Sequence, residues 1–347
     1  MAHIDGAQET TSTLDTHETA IRVWLWIIAL LVLAMAVVGA ATRLTDSGLS
    51  ITEWQPLLGA VPPLSEADWL AAFQKYQAIP EYQRVNLGMT LEEFKPIFWW
   101  EWSHRFLGRF IGLAVAGPFL FFWLKGWLSR TLALRLLGLF LLGGLQGAAG
   151  WYMVRSGLVD RVDVSQYRLA LHLTLAALIF AWTVWLALGI GRAEGAAASA
   201  GVRWSAIGLV VLLFLQIAAG AFVAGLDAGL SHNTWPLMDG QLVPDGLLVM
   251  SPWFVNLFDN VMTVQFDHRM LAYLVALWIT VMAIRSWHGD AASAGSASLL
   301  VLAVLAQIAL GVWTLLSMVP ISLGLAHQAG AFVLLGLAVW HLRRVVG

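Results

Sequence analysis

Cysteine is absent from all 347 residues, which excludes disulfides and every thiolate-ligated metal centre. Charge is scarce too: Asp, Glu, Lys and Arg make up 12% of the chain against 59% hydrophobic residues, and mean hydropathy is +0.76. So little polar surface cannot wrap a soluble domain of this length, so the chain is a polytopic membrane protein. A net charge of -2 leaves no basic surface for nucleic acid. The first twenty residues hold no Lys or Arg but carry Asp5, Glu9, Asp15 and Glu18. That excludes a cleavable signal peptide and an Arg-rich transit peptide, and favours a bacterial cell inner membrane over organelle import.

What the chain does have is eight apolar runs of roughly 20 residues, long enough to cross about 30 Å of hydrocarbon. They lie near 22–42, 104–124, 132–152, 168–190, 204–225, 266–285, 298–318 and 322–342. The 19 tryptophans suit aromatic belts at both interfaces. Lys125 and Arg130, Arg192 and Arg203, and Arg285 follow the second, fourth and sixth runs, and Arg343 and Arg344 close the chain. Leu226 to Phe266 contains neither Lys nor Arg. Positive residues mark the cytoplasmic side, so both termini are expected there, with the long first loop, 43–100, and the fifth-to-sixth connection outside.

The eight runs read as one four-helix unit written twice. Val38 to Trp54 aligns with Ala219 to Trp235, pairing Gly39 with Gly220, Asp46 with Asp227, Gly48-Leu49-Ser50 with Gly229-Leu230-Ser231, and Trp54 with Trp235. Further on, His104-Arg105 pairs with His268-Arg269, Gln146 and Gly150 with Gln307 and Gly311, and His172 and Trp185 with His327 and Trp340. Four spans per unit make the repeats parallel, related by an axis along the membrane normal. The expected architecture is all-α, two pseudo-symmetric four-helix bundles side by side. Its parts are a cytoplasmic tail 1–21, a first half 22–190, an inner linker 191–203 and a second half 204–347.

His104, His172, His268 and His327 open the second, fourth, sixth and eighth runs, so all four are expected within about a turn of the outer membrane face. Taken singly, a histidine at a helix end is an ordinary interfacial side chain. Two per half at matching depth instead suggest axial ligand pairs, because facing side chains in a four-helix bundle build cofactor sites and neutral imidazole ligates haem iron. Four residues beyond each histidine stands a small residue, Gly108, Ala176, Ala272 or Ala331, and Gly324 and Gly330 flank His327. Such clearance suits a flat macrocycle, although small residues also serve plain helix packing. Arg105 and Arg269 are placed either to pair with haem propionates or to snorkel to the interface. His3, His17, His288 and His341 fall outside the pattern, and His232 is expected to be a solvated outer-loop residue.

The halves also differ. Glu101 stands three residues before His104, where the second half has Gln265 before His268. Residues three apart share a helix face, so a carboxylate able to exchange protons is expected above the first-half site alone. The first outer loop is longer by about 17 residues and carries two capping-box patterns, Ser65 to Asp68 and Thr90 to Glu93. Short amphipathic helices with Trp69, Phe73, Tyr76 and Phe94 are expected there, lying on the membrane as a lid. The first half therefore reads as the reactive one and the second as the holder of a permanent cofactor.

Several runs together resemble the heme A synthase family over nearly the whole chain: Thr42 to Ser50, Glu101-Trp102-Ser103-His104-Arg105, Leu171-His172, Asp267-His268-Arg269 and Ala326-His327-Gln328. The mitochondrial and alphaproteobacterial branch, which lacks the outer-loop cysteine pair, is the most similar. The resemblance implies an oxidoreductase of haem biosynthesis that converts the C8 methyl of haem O to a formyl group, giving haem A for cytochrome oxidase assembly. It implies haem b on His268 and His327, substrate haem O near His104 and His172, and a catalytic Glu101, with the sites toward the periplasmic side. Contact with haem O synthase or with cytochrome oxidase assembly factors is an expectation of the same kind. The electron donor, homo-oligomerisation, and whether one or both first-half histidines bind substrate iron stay open. The alternative is a quinol-linked di-haem b electron-transfer protein; a transporter of haem is a third reading.

Overall fold

The computed structural model describes residues 2–55, 58–159, 161–191, 198–289 and 291–347, with side chains from residue 16. Among the described residues all regular elements are helical, with one isolated bridge between Met238 and Gln241. Eight helices are long and apolar enough to cross a membrane. They are α1 (Ala2–Leu44), α2 (Leu91–Leu124), α3 (Arg130–Gly157), α4 (Gln166–Gly189), α5 (Ala200–Gly225), α6 (Val261–Gly289), α7 (Ala291–Leu316) and α8 (Ile321–Val346). In hydrocarbon each backbone N–H and C=O must be paired within its own segment, which is why the apolar runs all become helices. Residues 192–197 of the linker 191–203, Arg192 included, and the side chain of His3 lie outside the described residues.

Two expected boundaries move. The first helix starts at Ala2, so 2–21 continues the span as helix. The second starts at Leu91, well before the apolar run at 104, because Thr90 caps it: its hydroxyl accepts from the Glu93 N–H (3.3 Å) while the Glu93 carboxylate accepts from the Thr90 N–H (2.8 Å). The other capping box, at Ser65 and Asp68, starts a separate helix, Glu66–Gln77. The expected membrane lid is instead a folded cap. Phe73, Tyr76, Phe94 and Phe98 are buried against one another together with Leu49, Ile79 and Val164, and Trp69 packs at the edge. Removing these rings from water at roughly 25 cal/mol per Å² is enough to hold the loop down on α2.

Helices α1, α4, α5 and α8 form the centre. Leu25 and Ile28 of α1, Ala177 and Val184 of α4, Leu209 of α5 and Leu335 of α8 belong to one buried cluster, and Phe180 meets Phe332 edge-on at 5.4 Å. At the end of the bundle that carries the long first loop, two polar ties join the halves. Arg43 of α1 donates to both carboxylate oxygens of Asp227 (2.9 and 2.8 Å), and Gln166 and Tyr167 of α4 donate to Asp259 (2.5 and 2.7 Å). The peripheral helices differ between halves: α6 and α7 pack extensively, whereas α2 and α3 touch little.

Candidate functional site

Each of the four histidines stands more than one turn inside its helix. His172 is six residues into α4, His327 six into α8 and His268 seven into α6, about 10 Å of helix in each case. His104 is thirteen residues into α2, whose first turns belong to the outer cap. All four side chains are only partly covered, so they line space between helices.

Each ring is laid against a glycine on the neighbouring odd-numbered helix. A methyl group on Gly39 would stand 3.0 Å from His104, on Gly150 3.0 Å from His172, on Gly220 3.1 Å from His268, and on Gly311 2.7 Å from His327. No larger residue admits the ring so close to the backbone. One helical turn from three of these glycines stands a glutamine whose amide grips the histidine twice. Gln146 lies 3.3 Å from the His172 ring and donates to the His172 carbonyl (3.2 Å). Gln216 lies 3.1 Å from His268 Nδ1 and donates to its carbonyl (3.1 Å), and Gln307 does the same to His327 (3.2 and 2.9 Å). The carbonyl bond pins the amide beside the ring, and a polar side chain this deep in a span is costly unless it has such a task.

The donor set suits a haem better than a bare ion. Among the described residues no cluster of three or more His, Cys, Asp or Glu could hold a metal ion, while two imidazoles suffice when a macrocycle fills the equatorial positions. Imidazoles on opposite sides of one ion, at metal–nitrogen distances of about 2 Å, have ring centres about 6 Å apart. The His268 and His327 centroids are 6.4 Å apart. A ligating imidazole must also donate its other N–H to an acceptor. Gln146 and Gln216 turn Nε2 toward the rings and leave Oε1 buried without a partner; an amide turned end for end would accept that N–H. Two cavities, about 300 Å³ beside Arg84, Arg161 and Asp163 and about 190 Å³ beside Ser205, Arg285 and Ser286, touch none of the histidines.

Three of the six small residues expected to make room for a ring face other side chains. The open side of Gly330 is taken by Gln307 Oε1, that of Gly324 by Leu44, and that of Gly108 by the Met35 methyl group. The glycines that do face the rings were visible only as matches between the repeats, and Gln216 was missed altogether. The signal was there: a glutamine or methionine four residues before a glycine recurs at Met35/Gly39, Gln146/Gly150, Gln216/Gly220 and Gln307/Gly311.

Glu101 is 3% exposed and accepts from Arg105 Nε at 2.6 Å; Arg105 also donates to the carbonyls of Glu53 (2.8 Å) and Ile51 (2.6 Å). The second half repeats the arrangement with an amide. Arg269 donates to Gln265 Oε1 (2.9 Å) and to the carbonyls of Thr234 (2.9 Å) and His232 (2.8 Å). Gln265 in turn donates to the carbonyls of Ala228 and Ser231 (2.8 and 2.7 Å). Both arginines therefore anchor a loop to the helix that carries His104 or His268, so neither simply snorkels. His232, expected to be solvated, is engaged with Asp239. Of the remaining histidines, His17 stacks on Trp127 at 3.9 Å, His288 is exposed, and His341 is buried against Ser296 (2.8 Å).

Comparison with known proteins adds independent findings. Residues 22–339 match a family model described as cytochrome oxidase assembly protein. The chain is 52% identical over 335 residues to heme A synthase of Parvibaculum lavamentivorans, covering 95% of this chain and 96% of that one. It is 54% identical to heme A synthase of Chelativorans sp. over 330 residues (94% and 91% covered). To that of Bradyrhizobium diazoefficiens it is 53% identical over 339 residues (97% and 94% covered).

Proposed function

The chain belongs to the cytochrome oxidase assembly protein family, and from that premise we propose that it works as a heme A synthase, oxidising the C8 methyl group of haem O to a formyl group to give haem A. The observation that carries this reading is the 6.4 Å placement of His268 and His327, each braced by a glutamine and backed by a glycine, beside a first half that keeps the same histidines but adds a buried carboxylate.

His268 and His327 hold haem b, which when bound supplies one-electron transfer, and the second half, 204–347, is its housing. His104 and His172 receive haem O in the first half, 22–190. Glu101, on the face of α2 above His104, holds or moves a proton near the reacting methyl group. Arg105 keeps one N–H on each terminal nitrogen and Arg269 keeps its Nε, donors suited to haem propionates. Such a partner would brace the loop and the haem edge through one side chain. The sparse packing between α2 and α3 suits a substrate with a long isoprenoid tail arriving from the lipid. The distribution of Lys and Arg favours an inner-membrane protein with both termini in the cytoplasm and the haem sites toward the periplasm. Matched contacts of Arg105 and Arg269 with loop carbonyls support reading the halves as parallel repeats.

The test is the haem composition of protein purified after expression with a supply of haem O, extracted and separated by chromatography. Haem A beside haem b is expected; haem b alone would favour a quinol-linked di-haem electron-transfer protein. His268→Ala or His327→Ala should remove haem b. Glu101→Gln should keep haem b, since Gln265 shows that an amide holds the neighbouring arginine, while haem A yield collapses. An undiminished yield would remove Glu101 from the chemistry.

A further inference from the structure

One of the four histidine clamps lacks its grip. At the position of Gln216, four residues before the ring-facing glycine, α1 carries Met35. A thioether has neither the N–H nor the carbonyl oxygen of an amide, and among the described residues no hydrogen bond reaches the His104 ring, whereas a glutamine amide stands against each of the His172, His268 and His327 rings. The exchange is accommodated locally. The Met35 methyl sits over Gly108, one turn beyond His104, where the other three ligand helices carry Ala176, Ala272 and Ala331. His104 also stands on α2, the helix that packs least against its neighbour α3.

Resting on the reading that His104 and His172 flank the substrate haem, we infer that Met35 makes His104 the releasable ligand of that pair. Gln146 keeps His172 in place as the fixed one. Both second-half ligands are gripped, as suits a haem that stays. In the first half one ligand has to let go twice, when a haem enters or leaves and when the iron must offer an open position, and the weak clamp lies on the same helix as the open side of the bundle. Met35 is thus a positioning residue that acts through His104.

The test uses the purified full-length protein with its resident haem b, loaded with haem O, reduced with dithionite and titrated with carbon monoxide, followed by the difference spectrum. Carbon monoxide should add to the first-half haem of the wild type by displacing His104 and leave haem b untouched. Met35→Gln, which copies the Gln216 clamp with a side chain of similar length, should raise the carbon monoxide concentration at half-saturation about five-fold, the worth of one net hydrogen bond. Met35→Leu should match the wild type. Gln146→Met should lower the half-saturation concentration by a similar factor, because it loosens the second ligand. Haem b content of each variant, from its absorption spectrum, reports folding. Should Met35→Gln fail to take up haem O, the Gln146→Met arm decides. Equal half-saturation for wild type, Met35→Gln and Gln146→Met would overturn the inference and leave the site assignment standing. The site assignment itself fails if His104→Ala and His172→Ala both take up haem O and carbon monoxide as the wild type does.

Discussion

Gly311→Ala makes a sharp test of the clamp geometry. An added methyl group would sit 2.7 Å from the His327 ring, where ordinary van der Waals contact begins near 3.4 Å. To restore contact, the ring must withdraw by about 0.7 Å, whereas metal–ligand distances hold to about ±0.2 Å. The ring has little room to withdraw, because Gln307 grips both its Nδ1 (3.2 Å) and its backbone carbonyl (2.9 Å), and Gln307 Oε1 is itself wedged against Gly330. Overpacking of this kind costs about 1–3 kcal/mol, which lowers occupancy of the bis-histidine state by about one to two orders of magnitude. The measurement is haem b per purified protein, with the low-spin spectrum as the second readout; both should fall. Gly220→Ala, at 3.1 Å from the His268 ring, should lower haem b less than Gly311→Ala, whereas Gly39→Ala and Gly150→Ala, at 3.0 Å from the His104 and His172 rings, should spare haem b and weaken uptake of haem O. Gly108→Ala is the control: its methyl group would meet only the far end of Met35 at 3.3 Å, which can swing away. Full haem b with an unchanged low-spin spectrum in Gly311→Ala would refute the claim that the glycine sets the ligand position.

Gln307→Leu should keep the fold but cost haem b affinity about ten-fold or more, the usual price of losing a ligand's hydrogen-bond partner, read by transfer of haem to an apo-acceptor protein. In the outer cap, burial pushes the Glu81 carboxyl from its ordinary 4.5 up to about 8. Asp46 and Asp163 also raise it, against a lowering by Tyr76 and Arg43. A folded pKa above the unfolded one means that this stability is full below about pH 4.5 and is lost as pH rises through about 8. The unfolding temperature should therefore fall between about pH 4.5 and pH 8, and Glu81→Gln should flatten that limb; an unchanged slope in the variant would show that Glu81 is ionised in the cap.

The parts of the molecule that rest on local chemistry were legible before any coordinates. The eight spans follow from runs of apolar residues, and both capping boxes form as their spacing predicts. The Asp46 and Asp227 match reappears as two left-handed turn residues, with φ of 48° and 51°, closing the equivalent helices α1 and α5. The start of α2 at Leu91 was hidden because hydropathy registers only the membrane-embedded part, while Phe94 and Phe98 extend the helix by packing into the cap. The pairing of Gln216 with His268 was hidden for a different reason. It joins residues 52 apart on two helices, and the repeat comparison offered only a methionine at the matching place, so the position carried no shared residue to notice.

Met35 shows why departures from a repeat carry more information than the repeat itself. Three clamps with glutamine establish what the fold can build at these positions, so methionine at the fourth is no limit of the scaffold. The same logic applies to Glu101. Gln265 satisfies two loop carbonyls that a carboxylate cannot serve, so a buried acid at the matching place forgoes those hydrogen bonds and bears a desolvation cost. The looser packing of α2 against α3 likewise gives up contacts that α6 and α7 make. Each departure weakens the first half as a piece of protein architecture, and all three converge on α2, the helix that carries His104. A half that only stored a cofactor would gain by reverting all three, as its partner half has them; a half that must admit, modify and release a haem needs each one.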